Sequence, residues 1–224
     1  MRTPRSAPRL ILASASPRRR ELLARFGIEF SVVPSRFDEA AVPYTRAEDY
    51  VRELSAGKAE TVADRYPESW VLAADTIVVA DDRLLGKPAD RDEARKMMGA
   101  LSGRNHRVHT GFSLRRRADR RARDAWVCTE VRFRKLSAEE IEWYVRTDEP
   151  YDKAGGYGIQ GLAGLFVAGV SGSCSNVVGL PVAEVVSALV EEGVLRFRGN
   201  GTLGFPDPEA SDEEGPDEEE KDPS

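Results

Sequence analysis

The run WVLAADTIVVADDRLLGKP, residues 70–88, reads as a strand, a turn at Asp81-Asp82 and a second strand. Asp75 interrupts an otherwise apolar stretch, with apolar residues on both sides. A carboxylate embedded there costs free energy unless it meets a metal, a cation or a network of donors. The alternative is an aspartate at a strand end that faces water. Lys87 follows the hairpin between Gly86 and Pro88. Its neighbours fix the local backbone, and its ammonium is a compact charge suited to a phosphate oxygen.

Upstream, RLILAS (9–14) is a short buried strand. SPRRRELLARFG follows as a helix, with Ser16 as N-cap, Pro17 at its first position and Gly27 as its stop. Leu22, Leu23 and Phe26 fall on one face of it. EFSVVPS (29–35) is a second strand. The long segment 45–66 is a helix with a capping box of Thr45 and Glu48 and an apolar stripe of Tyr50, Val51, Leu54 and Ala59. Downstream, 90–103 is a capped helix ending at Gly103. HRVHTGFSL and AWVCTEVRFRKL are strands joined by an arginine-rich connection, 115–123. A helix capped by Ser137 and Glu140 follows, then a glycine-rich stretch, 155–179, and a last helix stopped by Gly193. Strands alternate with helices and several are joined by hairpins, so the class is α/β with a mixed sheet. One domain is expected over 1–198. Residues 199–224 are rich in Gly, Pro and acid and read as a disordered tail.

The formal net charge of −5 hides an asymmetry. Residues 207–224 carry ten acidic side chains and one lysine, which leaves 32 basic against 28 acidic side chains, net +4, in the rest. A mildly basic body suits an anionic small molecule, and equally an ordinary soluble domain. Cys128 and Cys174 form no CxxC pair, no apolar run approaches a membrane span, and LILA is too short for a signal-peptide core. A reducing, cytoplasmic setting is the expectation.

SASPRRR (14–20) places small hydroxyl residues and three arginines at a helix start. First-turn N–H groups are unpaired there and the helix dipole is positive, so Arg18, Arg19 and Arg20 are locally unfavourable unless an anion offsets them. Ser14 and Ser16 add hydroxyl donors. The other reading is a solvated basic helix end. Four glycines in DKAGGYGIQG (152–161) permit close backbone approach to a ligand, and Gln160 can read a base edge, unless the stretch is simply a set of tight turns. Lys58, in SAGKAE, is a weaker candidate, since a helix lysine is usually solvated. There is no P-loop and no HExxH. His106 and His109, three apart in a strand, fall on opposite faces and share no metal. The 115–123 arginines lack interleaved aromatic residues and read as a solvated hairpin tip rather than a nucleic-acid surface, with the acidic tail as a conceivable partner.

Together LILASASPRRRELL, VLAADTIVV, LGKP, LSGRNHRVHTG, EPYDKAGGYGIQG and GSCSNVVGLP resemble, in order and spacing over about residues 9–195, the Maf family of nucleotide pyrophosphatases. The resemblance implies two lobes around a mixed sheet with a cleft between them. It implies hydrolysis of a nucleoside triphosphate to the monophosphate and pyrophosphate with a divalent metal, and a homodimer. Arg18, Thr76 and Gln160 match the branch that acts on dTTP and UTP, and Asp75 matches the proton acceptor. On this reading Asp75 and Glu39 bind Mg²⁺ or Mn²⁺. Arg18, Arg19, Lys58 and Lys87 neutralise the triphosphate, Ser14 holds phosphate oxygens, and Thr76 and Gln160 help select the pyrimidine. Cys174, where many members have tyrosine, the arginine-rich connection and the acidic tail depart from the pattern. The family's link to septum formation and division arrest makes a non-catalytic nucleotide sensor the competing class. A nucleic-acid-binding module comes last.

Overall fold

The computed structural model describes residues 9–206. In chain order the elements are β1 (Leu10–Leu12), α1 (Pro17–Ala24), β2 (Ser31–Val32), α2 (Ala47–Ala63), β3 (Trp70–Ala80), β4 (Arg83–Leu85), α3 (Arg91–Leu101), β5 (Asn105–Arg116), β6 (Arg121–Phe133), α4 (Ala138–Val145), β7 (Val167–Ser171), α5 (Cys174–Val178), α6 (Val182–Glu191), β8 (Arg196–Phe197) and β9 (Leu203–Gly204). Seven strands form one mixed sheet in the order β2-β1-β3-β5-β6-β7, with β4 also on β3. β1 runs parallel to β2 and β3, and the remaining pairs are antiparallel. Among the described residues no helix is long and apolar enough to cross a membrane.

The central strand β3 explains both the two-lobed shape and the cleft. Side chains alternate across a sheet. On one face Trp70, Leu72 and Ala74 join a core with α1 and α6, and Val78 and Ala80 join a second core with α3 and α4. Thr76 lies between the two cores on that face. On the other face Val71 and Ala73 pack under α2 through Ala59, Val62 and Ala63, and Ile77 and Val79 meet Val51. Asp75 lies on this second face. Along one edge of β3, β1 pairs with residues 70–72 and β4 with residues 78–80. The intervening backbone is paired only by β5, on its other side. Ligands settle at such breaks in a sheet, beyond the carboxyl ends of parallel strands.

Two glycines set how closely the layers approach. Gly111 of β5 pairs with Asp75, and a Cβ on it would sit 2.2 Å from the Val51 carbonyl of α2. A Cβ on Gly57 of α2 would sit 2.4 Å from the Phe37 ring. The first contact lays α2 over Asp75. The second seats the segment carrying Glu39 against α2.

Caps and turns follow the sequence closely. Ser16, Asp90 and Ser137 cap their helices, the last through a complete capping box with Glu140. Asp81 and Asp82 take φ of 47° and 58°, as a tight hairpin with its right-handed twist requires. Several expectations are corrected. Thr45 lies one residue before the N-cap of α2, which is Arg46 and makes no side-chain cap bond; Glu48 pairs with Arg46. α1 ends at Ala24, so Phe26 lies past the helix and is 53% exposed instead of sharing a face with Leu22 and Leu23. The second strand is only two residues long. The 115–123 segment is a largely exposed hairpin tip, as expected, but its strands run further into it: β5 and β6 pair from Asn105↔Arg132 to Arg116↔Arg121 and leave 117–120 as the turn. Arg115 is buried against Asp124 at 2.9 Å, Arg117 pairs with Asp64 at 2.6 Å, Arg121 with Glu192 at 2.6 Å, and Arg123 with Glu191. The cluster is thus largely neutralised by the fold's own acids. Residues 199–206 fall within the expected tail, yet β9 lies there and pairs back onto β8, and Phe205 packs on the first core under Arg9. The rest of that tail lies outside the described residues.

Candidate active site

A cleft of about 650 Å³ opens at the break along β3. That is within the range of small-molecule sites. The loop after β1 supplies Ser14, and the first turn of α1 supplies Arg18 and Arg19. β3 supplies Asp75 and Thr76, α2 supplies Tyr50 and Lys58, and the segment before α2 supplies Glu39. The loop after β4 supplies Lys87, and the glycine-rich segment supplies Lys153, Tyr157 and Gln160. All nine candidate residues read from the sequence therefore line one cavity.

Asp75 is buried on the floor, and its Oδ1 takes an ion pair from Lys58 Nζ. The Lys58 and Asp75 side chains are only 11% and 12% exposed. Lys58 Nζ also lies 2.9 Å from Glu39 Oε1, on the 3₁₀ turn Glu39–Ala41 that Asp38 caps. A helix lysine is usually solvated; this one is not, because Gly111 and Gly57 let its helix sit low between two carboxylates. Tyr50, Leu54 and Lys58 recur every four residues and present one face of α2 to the cleft. Burial, with Asp75 and Glu39 nearby, raises the Tyr50 phenol above its ordinary pKa. Tyr50 was legible only as part of an apolar stripe. The four-residue step from Lys58 is the signal that would have brought it to the site.

The opposite wall is cationic. Ser16 Oγ accepts from Arg19 N, at 3.4 Å, and caps α1. The Arg19 side chain turns inward: Nε donates to the Gly179 carbonyl at 2.7 Å, Nη2 to Thr76 Oγ1 at 3.1 Å and Nη1 to Ser14 Oγ at 3.4 Å. Burial lowers this guanidinium's pKa from its ordinary value, and the charge of Asp75 opposes the shift. Arg18 crosses the mouth to Asp152 at 3.0 Å, and Asp152 also pairs with Lys153. Arg20 is exposed and points elsewhere, and Lys87 and Gln160 are exposed on the rim. His106 and His109 stay outside the site on opposite faces. His106 bonds the Tyr157 hydroxyl at 2.7 Å, and His109 stacks on Trp126.

Chemically, a buried carboxylate, a second carboxylate and a lysine face an arginine wall across a space for a polyanion. Among the described residues no three His, Cys, Asp or Glu side chains gather into a metal cage. Two converging carboxylates are nonetheless the donor set by which Mg²⁺ is commonly bound, with substrate phosphates completing its shell. The residues fit that mode.

Residues 9–192 match the sequence profile of the family described as Maf-like protein. Three relatives are each called dTTP/UTP pyrophosphatase. That of Syntrophus aciditrophicus is 48% identical over 86% of this chain and 94% of its own length. That of Myxococcus xanthus is 52% identical over 83% and 93%, and that of Symbiobacterium thermophilum is 51% identical over 85% and 97%. A solved structure, the Staphylococcus aureus Ham1 protein, superposes at TM-score 0.40 with 14% identity over 55% of this chain and 71% of that one. That likeness is too loose to add to the fold described above.

Proposed function

This chain belongs to the Maf-like protein family, and on that premise we propose that it hydrolyses dTTP and UTP to the nucleoside monophosphate and pyrophosphate in the cleft along β3. One observation carries the reading: Asp75 is held on the cleft floor by Lys58 and faces a wall built around Arg19. Asp75 takes a proton from a water whose oxygen attacks the α-phosphorus. The bond from that phosphorus to the bridging oxygen breaks, and pyrophosphate leaves. Arg18, Arg19, Lys58 and Lys87 neutralise the triphosphate and the charge that grows on the departing pyrophosphate. Ser14 and the first-turn N–H groups of α1 receive phosphate oxygens. Thr76 and Gln160 contribute to the choice of a pyrimidine.

Asp75 and Glu39 would hold a Mg²⁺ or Mn²⁺ ion. Such an ion, when bound, supplies charge that offsets the phosphate oxygens and lowers the pKa of water. The reading extends to a reducing, cytoplasmic setting, which the unpaired thiols of Cys128 and Cys174 suit, and to a homodimer, which the mass in solution would test.

The decisive assay is pyrophosphate release from dTTP, UTP and their modified analogues, with Mg²⁺, Mn²⁺ or a chelator, for the wild type and Asp75→Asn. Turnover should depend on metal and fall by about a hundredfold or more in the variant, the scale of a lost general base. Undiminished release by Asp75→Asn would remove the role given to it. Tight dTTP binding without any release would leave a nucleotide sensor in place of an enzyme.

A further inference from the structure

Arg19 is held from behind by a line of buried hydroxyls that reaches well beyond the cleft. A guanidinium only donates, so Thr76 Oγ1, 3.1 Å from Arg19 Nη2, must accept. The Thr76 proton then needs an acceptor. Thr110 Oγ1 lies 2.9 Å away, on the neighbouring strand in register with Thr76, and the Gly179 carbonyl lies at 3.3 Å. Thr110 is fully buried, and its own hydroxyl donates to the Asn176 carbonyl at 3.2 Å. Asn176 is likewise fully buried, and its Nδ2 donates to the Val108 carbonyl and to Thr129 Oγ1, both at 3.0 Å. The line therefore runs from Arg19 through Thr76 and Thr110 to the backbone of α5. That same short segment ends at Gly179, whose carbonyl takes Arg19 Nε at 2.7 Å.

We propose that Thr110, which is buried behind the cleft wall and does not line it, is a positioning residue that fixes the Arg19 guanidinium toward the triphosphate through the Thr76 hydroxyl. The proposal rests on reading the cleft as a pyrophosphatase site. Its physical basis is that, of the three groups that hold the Arg19 guanidinium, the Thr76 hydroxyl, the Gly179 carbonyl and the Ser14 hydroxyl, Thr110 braces the first two. It receives the Thr76 proton, and it ties α5 to β5 through Asn176. Without the Thr110 hydroxyl, Thr76 can turn its proton to Gly179, and that carbonyl is then shared between two donors. The Thr76 hydroxyl is already engaged with Arg19, Thr110 and Gly179, so its influence on the substrate passes through the arginine.

The test is a double-mutant cycle on pyrophosphate release from dTTP, with Thr110→Val, Arg19→Lys and both together. Thr110→Val keeps shape and removes the hydroxyl, and Thr110→Ala serves if the valine variant does not fold. Thr110→Ser restores the hydroxyl. We expect Thr110→Val to lower kcat/KM by about tenfold to a hundredfold, the scale of a displaced charged group, and Thr110→Ser to stay within about threefold of the wild type. Because Thr110 acts only through Arg19, the double variant should fall no more than about twofold below Arg19→Lys alone. Wild-type kinetics in Thr110→Val, or losses that multiply in the double variant, would overturn the proposal. The affinities of the same proteins for dTTP, from calorimetry, give the cycle without turnover. A wild type that binds dTTP but releases no pyrophosphate therefore defeats the reaction reading, and the Thr110–Arg19 coupling is then decided by the affinities.

Discussion

His106 makes the clearest residue-scale prediction, because its surroundings leave it one role. It is 2% exposed, lies edge-on to Phe133 and Tyr157, and its Nε2 lies 2.7 Å from the Tyr157 hydroxyl. Burial raises the Tyr157 phenol, so that hydroxyl stays protonated beside the ring. Burial lowers the imidazole to a pKa of about 4, against 6.5 in an unfolded chain. Above pH 6.5 the ring is neutral in both states and costs nothing. Between 6.5 and about 4 the unfolded chain takes up a proton that the folded protein refuses, so stability falls as pH falls, and the loss levels off below pH 4. At pH 5 this group alone should have removed about 2 kcal/mol relative to pH 7. Urea unfolding of wild type and His106→Gln at the two pH values checks it, since carboxylates and His109 titrate in both proteins. An identical pH dependence in the variant would show that the buried imidazole is not the source. The stake is functional, because Tyr157 lines the cleft within the segment that carries Gln160. Asp75 was legible as a site because a charge within an apolar strand needs an explanation. His106 was not, since its burial depends on Tyr157 arriving from 51 residues away.

Gly111 decides how the elements meet. Its absent side chain lets the α2 backbone lie directly on β5, and in register with it is Asp75. Gly111→Ala would place a methyl 2.2 Å from the Val51 carbonyl, backbone against backbone, so α2 must lift. The expected cost is about 1–3 kcal/mol of stability, the range for overpacking. Activity should suffer more than stability, because lifting α2 withdraws Lys58 from Asp75. Thermal melts and dTTP turnover of Gly111→Ala check both; normal turnover would mean that α2 tolerates the shift without moving Lys58. The elements themselves were largely legible, since strand alternation, Ser and Asp caps, and the Asp81-Asp82 turn are signals within a few residues. What was not legible depends on distant partners. The arginines of 115–123 read as a solvated hairpin tip beyond the strands because charge clusters usually avoid strands. Here they extend β5 and β6, since Glu60, Asp64, Asp124, Glu191 and Glu192 come to meet them. The Thr45–Glu48 box failed for the reverse reason: Glu48 found a closer partner in Arg46.

For the whole molecule, the cleft separates two cores that share β3 and β5. Because the same two strands run through both, neither core can unfold alone without tearing the sheet, and a single cooperative transition is expected. Ser14, Arg18 and Arg19 stand on the side of α1, and Lys87 and Gln160 on the side of α3. Among the described residues the Arg18–Asp152 pair, at 3.0 Å, spans the mouth between them. It is partly exposed, so its own contribution is small, and a triphosphate can replace it at little cost. A bound nucleotide should therefore stabilise both halves together. Asp75→Asn lets this be measured with the substrate itself, since the variant is expected to bind dTTP and consume it far more slowly than the wild type. At a hundred times its Kd, dTTP adds about 2.7 kcal/mol, a rise of about 5–10 °C in Tm for a chain of this size. Hydrogen exchange locates the effect: protection should increase in residues 14–24 and in residues 152–161 alike. Protection confined to the first segment would mean that the phosphates bind α1 while the glycine-rich wall stays open, and Gln160 would lose its place in the recognition of the base.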